Sequence, residues 1–358
     1  MPPIQPYGRT AARSHQKTRR KIRPPSVTID IHAHVSVPAA AQVAASHLDP
    51  STIPLAFFST PETTKINQQQ EVDRSARLSG IDGGLAERLR DLDDMGIDRQ
   101  LVMPPPPQCY YTVPLDIGVK ATRMVNDGIA EFVDRAKDRF IPLGGVPMQD
   151  GHEAAAELER IVQQLGFKGA EILTNVAGRE LSDEAYAPFW AKAEKLSALI
   201  VIHPNGFTEA KRMSRFYFNN IVGNPLETAL ALHYLIFDGV LERHPGLKIL
   251  AVHGGGYLGS YSGRIDHAWG ARMDCQAELP RPPTHYLKKV FVDSVVFTPH
   301  QLKELVNVFG ADHVIMGSDY PYDMAESDPV GHVASVETFD AATIAAIAGG
   351  NAKRLLAL

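Results

Sequence analysis

The chain has 358 residues, of which 44% are hydrophobic and 22% charged, with a formal net charge of -5. These proportions are those of a water-soluble globular protein, and no apolar run reaches the roughly 20 residues of a transmembrane helix, which excludes an integral membrane protein. The only cysteines, Cys109 and Cys275, lack a paired spacing. A disulfide framework and a thiolate metal site are therefore excluded, and a cytoplasmic location is predicted.

The first 25 residues form a basic stretch without aspartate or glutamate. Its Lys and Arg residues lie between prolines and follow no apolar periodicity, so we predict a disordered tail ahead of a single domain over residues 26–358. A nucleic-acid-binding arm and an organellar transit segment are both compatible with this charge. No aromatic side chains alternate with the basic ones, which favours a solvated extension and no nucleic-acid partner.

Helical and strand patterns alternate along the rest of the chain. Residues 36–82, rich in Pro, Ser, Thr and Gln, are predicted to be an irregular insertion that covers the mouth of a site. Strands are predicted at 27–31, 100–103, 140–143, 169–173, 199–203, 248–253, 290–293 and 313–317. Helices are predicted at 85–95, 118–137, 152–165, 183–197, 226–243, 257–272, 299–309 and 341–356, the last one packing across the outside of the fold.

Eight buried strands separated by helices predict an α/β protein with a (β/α)8 TIM barrel. An open doubly wound sheet is the alternative. The first strand is not followed by a Gly-x-Gly-x-x-Gly turn, which argues against dinucleotide binding.

Polar side chains stand where four of these strands end. The first strand ends in His32 and His34, the fifth in His203, the sixth in His253, and the eighth in Asp319. The carboxyl ends of barrel strands meet at one mouth, so we expect these side chains to lie around one divalent ion. Imidazoles with one carboxylate suit zinc first, with manganese, iron and cobalt as alternatives.

Two neighbouring features refine this predicted metal site. The fourth strand does not end in a lysine that could become a bridging carbamate, which favours one metal over two. Asp30 lies two residues before His32 and either orients the site or caps backbone amides.

These motifs resemble the amidohydrolase superfamily, in the branch of aminocarboxymuconate semialdehyde decarboxylase and related aromatic-acid decarboxylases. The likeness begins near residue 27 and rests on Asp30-x-His32-x-His34, His203-Pro204, His253-Gly-Gly-Gly and Gly317-Ser318-Asp319-Tyr320-Pro321. It implies a TIM barrel of the metal-dependent hydrolase type. It also implies that His32, His34, His203 and Asp319 hold the metal and that His253 transfers a proton.

The resemblance also implies residues that bind substrate. Arg264 matches an arginine that, in those relatives, crosses a dimer interface to a substrate carboxylate, and Arg74 or Arg77 is the candidate for a second arginine. Asn205 starts an Asn-Gly-Phe stretch that replaces a Trp-Asp pair of the family, at the substrate end of the site. We therefore predict a substrate contact at Asn205 and leave the exact substrate open.

The predicted function is metal-dependent, non-oxidative decarboxylation of a phenolic or enol-type carboxylic acid by a homodimer or higher homo-oligomer. Hydrolysis or hydration of a lactone, a carbon-carbon bond or an alkene on the same site is the closest alternative. A binding protein on a barrel scaffold would carry damaged metal ligands, whereas this chain keeps all of them.

Overall fold

The structure is a computed structural model that describes residues 24–78, 84–276 and 279–358. The predicted disordered tail lies outside the described residues, apart from its last two positions. None of the described helices is both long and apolar enough to cross a bilayer.

Short parallel strands, each followed by helical segments, build the fold. The strands are β1 Ile29–Asp30, β2 Arg99–Val102, β3 Phe140–Pro142, β4 Gly144–Gly145, β5 Gly169–Leu173, β6 Asn175–Val176, β7 Arg179–Glu180, β8 Leu199–His203, β9 Lys248–Ala251, β10 Val290–Asp293 and β11 Val314–Ile315. All the predicted strands are present, with β3 and β4 as two parts of one, while β6 and β7 form a separate antiparallel hairpin.

The strands follow one another around a barrel. One parallel sheet has the order β1-β2-β3 and the other the order β11-β10-β9-β8-β5-β4. At one junction of the two sheets, Leu143 connects β3 directly to β4, and its amide donates to the Val102 carbonyl. At the other junction, the Ile31 amide donates to the Met316 carbonyl. The predicted (β/α)8 barrel is therefore confirmed, and the carboxyl ends of its strands share one face.

Helices pack around the barrel and at its two ends. They are α1 Pro38–Ala44, α2 Pro54–Phe57, α3 Pro61–Arg77, α4 Leu85–Met95, α5 Leu115–Asp134, α6 Gly151–Gln163, α7 Ala187–Leu196, α8 Asn224–Phe237, α9 Val240–Arg243, α10 Ser262–Ala271, α11 Met273–Gln276, α12 Pro283–Leu287, α13 Pro299–Phe309, α14 Pro329–Ala334, α15 Ala341–Ala345 and α16 Asn351–Leu355. The single helix predicted over 226–243 is two helices, because Gly239 adopts a left-handed conformation at φ 73°.

The described part of the insertion, residues 36–78, is mostly helical, so the prediction of an irregular segment was wrong. Helix α3 starts at Pro61 after Thr60, whose hydroxyl accepts a hydrogen bond from the Thr63 amide. None of the residues of α3 is buried. A helix that buries no apolar face shows no apolar periodicity, which is why the sequence pattern did not reveal it.

The last helical segment lies at the closed end of the barrel, and not across its outside as predicted. Ala352, Leu355 and Leu356 belong to the apolar cluster that fills the barrel interior together with residues such as Leu101 and Val201. The Met316 amide also donates to the Ile347 carbonyl. These apolar contacts stabilise the end of the barrel opposite to the predicted site.

Candidate metal centre and active site

The end of β8 aims His203 into the barrel. Leu199 and Val201 belong to the interior cluster, and side chains two residues apart on a strand share a face, so His203 continues their row. All residues of β8 are buried, and His203 is only 5% exposed. The apolar alternation of the strand therefore positions this imidazole.

A buried carboxylate fixes the ends of the first and last strands to one another. Asp30 Oδ1 accepts from the amides of His32 and Ser318, each at 3.0 Å, and Asp30 Oδ2 accepts from the Ser318 hydroxyl and from Gln100 Nε2. Burial raises the pKa of Asp30, although these donors oppose the shift. Of the two roles that the sequence left open, backbone capping is the one observed.

Two site residues adopt left-handed backbone conformations. Asp319 has φ 64° and His253 has φ 54°, and Tyr217 and Phe297, which line the adjoining cavity, share this conformation. Such conformations cost non-glycine residues about 1–3 kcal/mol each and persist only where the surroundings impose them. Their concentration around one cavity marks it as a functional site.

The predicted side chains converge at the mouth of the barrel. His32 Nε2 lies 3.2 Å from His34 Nε2 and 3.4 Å from Asp319 Oδ1, and His34 Nε2 lies 3.3 Å from the same oxygen. The ligand atoms of His32, His203, His253 and Asp319 all lie within 4.8 Å of one another. The structure thus brings together all five residues taken from the strand ends.

Outer hydrogen bonds fix how three of the imidazoles are protonated. The Nδ1 atoms of His32, His34 and His203 lie 2.7, 2.8 and 2.7 Å from acceptors, which are Asp293 Oδ2 and the carbonyls of Pro104 and Pro204. An Nδ1 that donates leaves Nε2 with a free lone pair. The Nε2 atoms of His32 and His34 face one another and Asp319 Oδ1, with His203 beside them, an arrangement that suits a cation.

The charges of the site favour neutral imidazoles at two of these three histidines, and a bound cation would keep the third, His32, neutral. Burial lowers the pKa of His34 and, more strongly, that of His203, which favours neutral imidazoles. Burial also acts on His32, but the carboxylates of Asp319 and Asp293 outweigh it and raise the pKa of His32. In the described part of the chain, His203 Nε2 and Asp319 Oδ1 are buried atoms without a hydrogen-bond partner, which fits their use as metal ligands.

Three further residues support the site, and the sequence patterns assigned them no role. Asp293 accepts from His32 Nδ1 and, through Oδ1, from the amides of Gly254 and Val295. The buried guanidinium of Arg88 donates to the His34 carbonyl and to Gln100 Oε1.

Glu171 is the third of these residues. It lies inside the barrel with Oε2 at 3.7 Å from His34 Nδ1, and burial raises its pKa well above the usual range. Asp293 stands at a strand end, which is a usable signal, whereas Arg88 and Glu171 lie within ordinary helix and strand patterns.

A cavity of about 530 Å³ adjoins the metal centre. His203, His253 and Asp319 line it together with apolar and aromatic side chains such as Val295, Phe297 and Tyr322. Leu55 of the insertion also lines it.

The predicted substrate residues lie at different distances from this cavity. Asn205 lines it, whereas Arg74, Arg77 and Arg264 do not. Arg74 stacks on the Tyr322 ring at 4.6 Å and also contacts Glu71, and Arg77 binds Asp91 at 2.6 Å. Arg264 is exposed on α10. Both arginines of the insertion are therefore engaged by their own chain.

Comparison with known proteins gives one consistent family. The family described as Amidohydrolase matches residues 29–358. The 2-amino-3-carboxymuconate-6-semialdehyde decarboxylase of Dictyostelium discoideum is 36% identical over 272 residues, which cover 76% of this chain and 76% of that protein. The gamma-resorcylate decarboxylase of Rhizobium radiobacter is 29% identical over 302 residues, covering 76% of this chain and 86% of that protein.

A solved structure shares the fold. The 5-carboxyvanillate decarboxylase of Novosphingobium aromaticivorans, complexed with manganese and 4-hydroxy-3-methoxy-5-nitrobenzoic acid, has a TM-score of 0.80 at 24% identity over 93% of this chain and 97% of that chain. The resemblance read from the strand-end motifs is thereby confirmed. The chain belongs to the amidohydrolase family, in the branch of 2-amino-3-carboxymuconate-6-semialdehyde decarboxylase and related decarboxylases.

Proposed function

We propose that this chain catalyses metal-dependent, non-oxidative decarboxylation of a phenolic or enol-type carboxylic acid. The observation that carries the proposal is the convergence of three imidazole Nε2 lone pairs on Asp319, in the wall of a cavity that His253 also lines. The decarboxylases among its relatives support the reaction type.

We assign His32, His34, His203 and Asp319 as the ligands of one divalent ion. The nitrogen-rich set suits zinc first, and the manganese bound by the solved relative makes manganese the leading alternative to iron and cobalt. An ion bound there would act as a Lewis acid on the substrate carboxylate and on an adjacent substrate oxygen. Asp293 and the Pro104 and Pro204 carbonyls hold the imidazoles in the required protonation state.

His253 is the residue that moves the proton. Its Nε2 lies 3.4 Å from Asp319 Oδ2, and the side chain stays 17% exposed to the cavity. When the bond between the substrate carbon and its carboxyl group breaks, carbon dioxide leaves and the electron pair remains on carbon. A proton from His253 Nε2 then completes the product, because an imidazole can hold and release a proton near neutral pH.

The substrate carboxylate needs positive charge, and we propose, from the family resemblance, that Arg264 of a second copy of the chain supplies it. Arg264 is exposed and does not line the cavity of its own chain, and no hydrogen bond or ion pair engages it in the described ranges. Tyr261, three residues earlier, is 69% exposed, and an exposed aromatic side chain suits an interface. We therefore propose a homodimer or higher homo-oligomer, with Asn205 as a further substrate contact.

The test uses metal-loaded full-length protein and a panel of phenolic and enol-type carboxylic acids. We expect carbon dioxide release, and we expect His253→Asn to lower turnover by at least about 100-fold while metal content stays normal. The matched control is His244→Asn, which removes a histidine paired with Glu194 outside the cavity.

Two results would overturn parts of this proposal. Products that gain the mass of water without carbon dioxide release would establish the hydrolase or hydratase alternative. Loss of metal in His253→Asn would show that His253 is a ligand.

A further inference from the structure

The charges that face the cavity are unusual for a site that binds an anionic substrate. Among the described residues that line it, there is no lysine or arginine. Apart from the residues of the metal centre, the one charged side chain in this lining is Asp323. A carboxylic acid held at the metal centre thus meets a second negative charge in the cavity wall.

The carboxylate of Asp323 has few partners of its own. It accepts from the backbone amides of Asp323 and Met324, and no hydrogen bond or ion pair joins it to another side chain of the described residues. Burial raises its pKa, with a smaller contribution from Asp319, while the charge of Arg74 acts in the opposite direction. Arg74 itself contacts Glu71 and lies over Tyr322, outside the cavity lining. Asp323 is therefore available to a ligand.

Tyr217 gives the same part of the cavity a neutral polar group. Tyr217 follows Phe216 in the chain, and both have positive φ angles, 57° at Phe216 and 63° at Tyr217. Burial and the carboxylates of Asp323 and Asp319 raise the pKa of Tyr217, so its hydroxyl stays protonated at neutral pH. Two adjacent strained residues need a compensating reason, and holding this phenol at the cavity supplies one.

We propose that Asp323 is a specificity-determining residue that admits carboxylic acids with one carboxylate and an uncharged hydrogen-bond donor, such as a hydroxyl group, and rejects acids with a second carboxylate. This inference rests on the proposed decarboxylase function and names the substrate class of the same site. A substrate hydroxyl can donate to Asp323, whereas a second carboxylate would be repelled. Like charges within one cavity of this size repel strongly enough to weaken dicarboxylate binding by at least about tenfold.

The experiment compares two small acids that differ by one carboxylate, 2-hydroxybenzoate and 2-hydroxybenzene-1,3-dicarboxylate. Their dissociation constants for the metal-loaded full chain are measured by calorimetry at pH 8, where the carboxylates are ionised. We expect the dicarboxylate to bind at least about tenfold more weakly than the monocarboxylate. Asp323→Asn should bring the two constants within about threefold, while Asp312→Asn, at an exposed aspartate, should change neither.

Four outcomes would defeat the inference or its basis. Equal binding of both acids to the wild type, or an unchanged preference in Asp323→Asn, would overturn the role of Asp323. Tight dicarboxylate binding that disappears in Arg264→Ala would show that an arginine from a second copy overrides Asp323. If the metal-loaded wild type binds neither acid, the proposed function fails instead.

Discussion

Replacing Asp293 by asparagine tests how the protonation of His32 is controlled. Asp293 Oδ2 lies 2.7 Å from His32 Nδ1, and both side chains are fully buried. An asparagine in the same place can present its NH2 group to Nδ1, which would move the imidazole proton to Nε2 and block the lone pair that a metal needs. The amides of Gly254 and Val295 would still find the amide oxygen as an acceptor.

The expected loss of metal affinity in Asp293→Asn follows from this geometry. Loss of the outer partner of a metal-binding histidine typically weakens metal affinity about 10- to 100-fold, or about 1.4–2.8 kcal/mol. Chelator competition measures the affinity, and thermal unfolding of the metal-free protein measures the effect on the fold. The matched control is Asp312→Asn, because Asp312 pairs with His313 at 3.1 Å but is 67% exposed. Wild-type affinity in Asp293→Asn would refute the argument that this carboxylate sets the protonation of His32.

Three further predictions concern the support of the site. Arg88→Met should lower the free energy of unfolding by about 3 kcal/mol, since it leaves the buried His34 carbonyl and Gln100 Oε1 without their donor. Denaturant titration measures this loss. The control Arg90→Met, on the exposed side of the same helix, should lower the free energy of unfolding by less than about 1 kcal/mol. The double variant Arg74→Ala with Arg77→Ala should speed hydrogen exchange in α3, because this helix has no buried residue and these arginines join it to Tyr320 and Tyr322. Unchanged exchange rates would show that these arginines do not hold the helix in place. Metal affinity should fall about tenfold per pH unit as pH drops below the raised pKa of His32, since a proton then competes for Nε2. Chelator competition between pH 8 and pH 6 measures how affinity changes with pH. An affinity that does not change with pH would contradict the assignment of His32 as a metal ligand.

Much of the barrel follows from the sequence because buried parallel strands are short, continuous apolar runs. Leu199–His203 illustrates this, since its predicted and observed bounds agree and its alternation places His203 inside the barrel. The strand-end rule then identified all five residues that converge, including His253, without any knowledge of their distances.

The parts that the sequence did not reveal have a common physical origin. Helix α3 has no buried side chain, so its residues leave no apolar period to detect. Arg88 lies at an ordinary helical position, and its contacts with the His34 carbonyl and the Tyr320 ring join segments far apart in the chain. Asp323 becomes informative only once the described cavity-lining residues outside the metal centre are known to carry no other charge. Contacts between distant segments and the distribution of charge around a cavity arise only in the folded chain, so sequence patterns do not predict them.

The central claim is that His32, His34, His203 and Asp319 hold one divalent ion on which turnover depends. Elemental analysis of the purified wild type and of His32→Ala tests it most directly. We predict about one ion per wild-type chain and loss of that ion in the variant. Two ions per chain, or none under conditions that preserve bound metals, would contradict the claim.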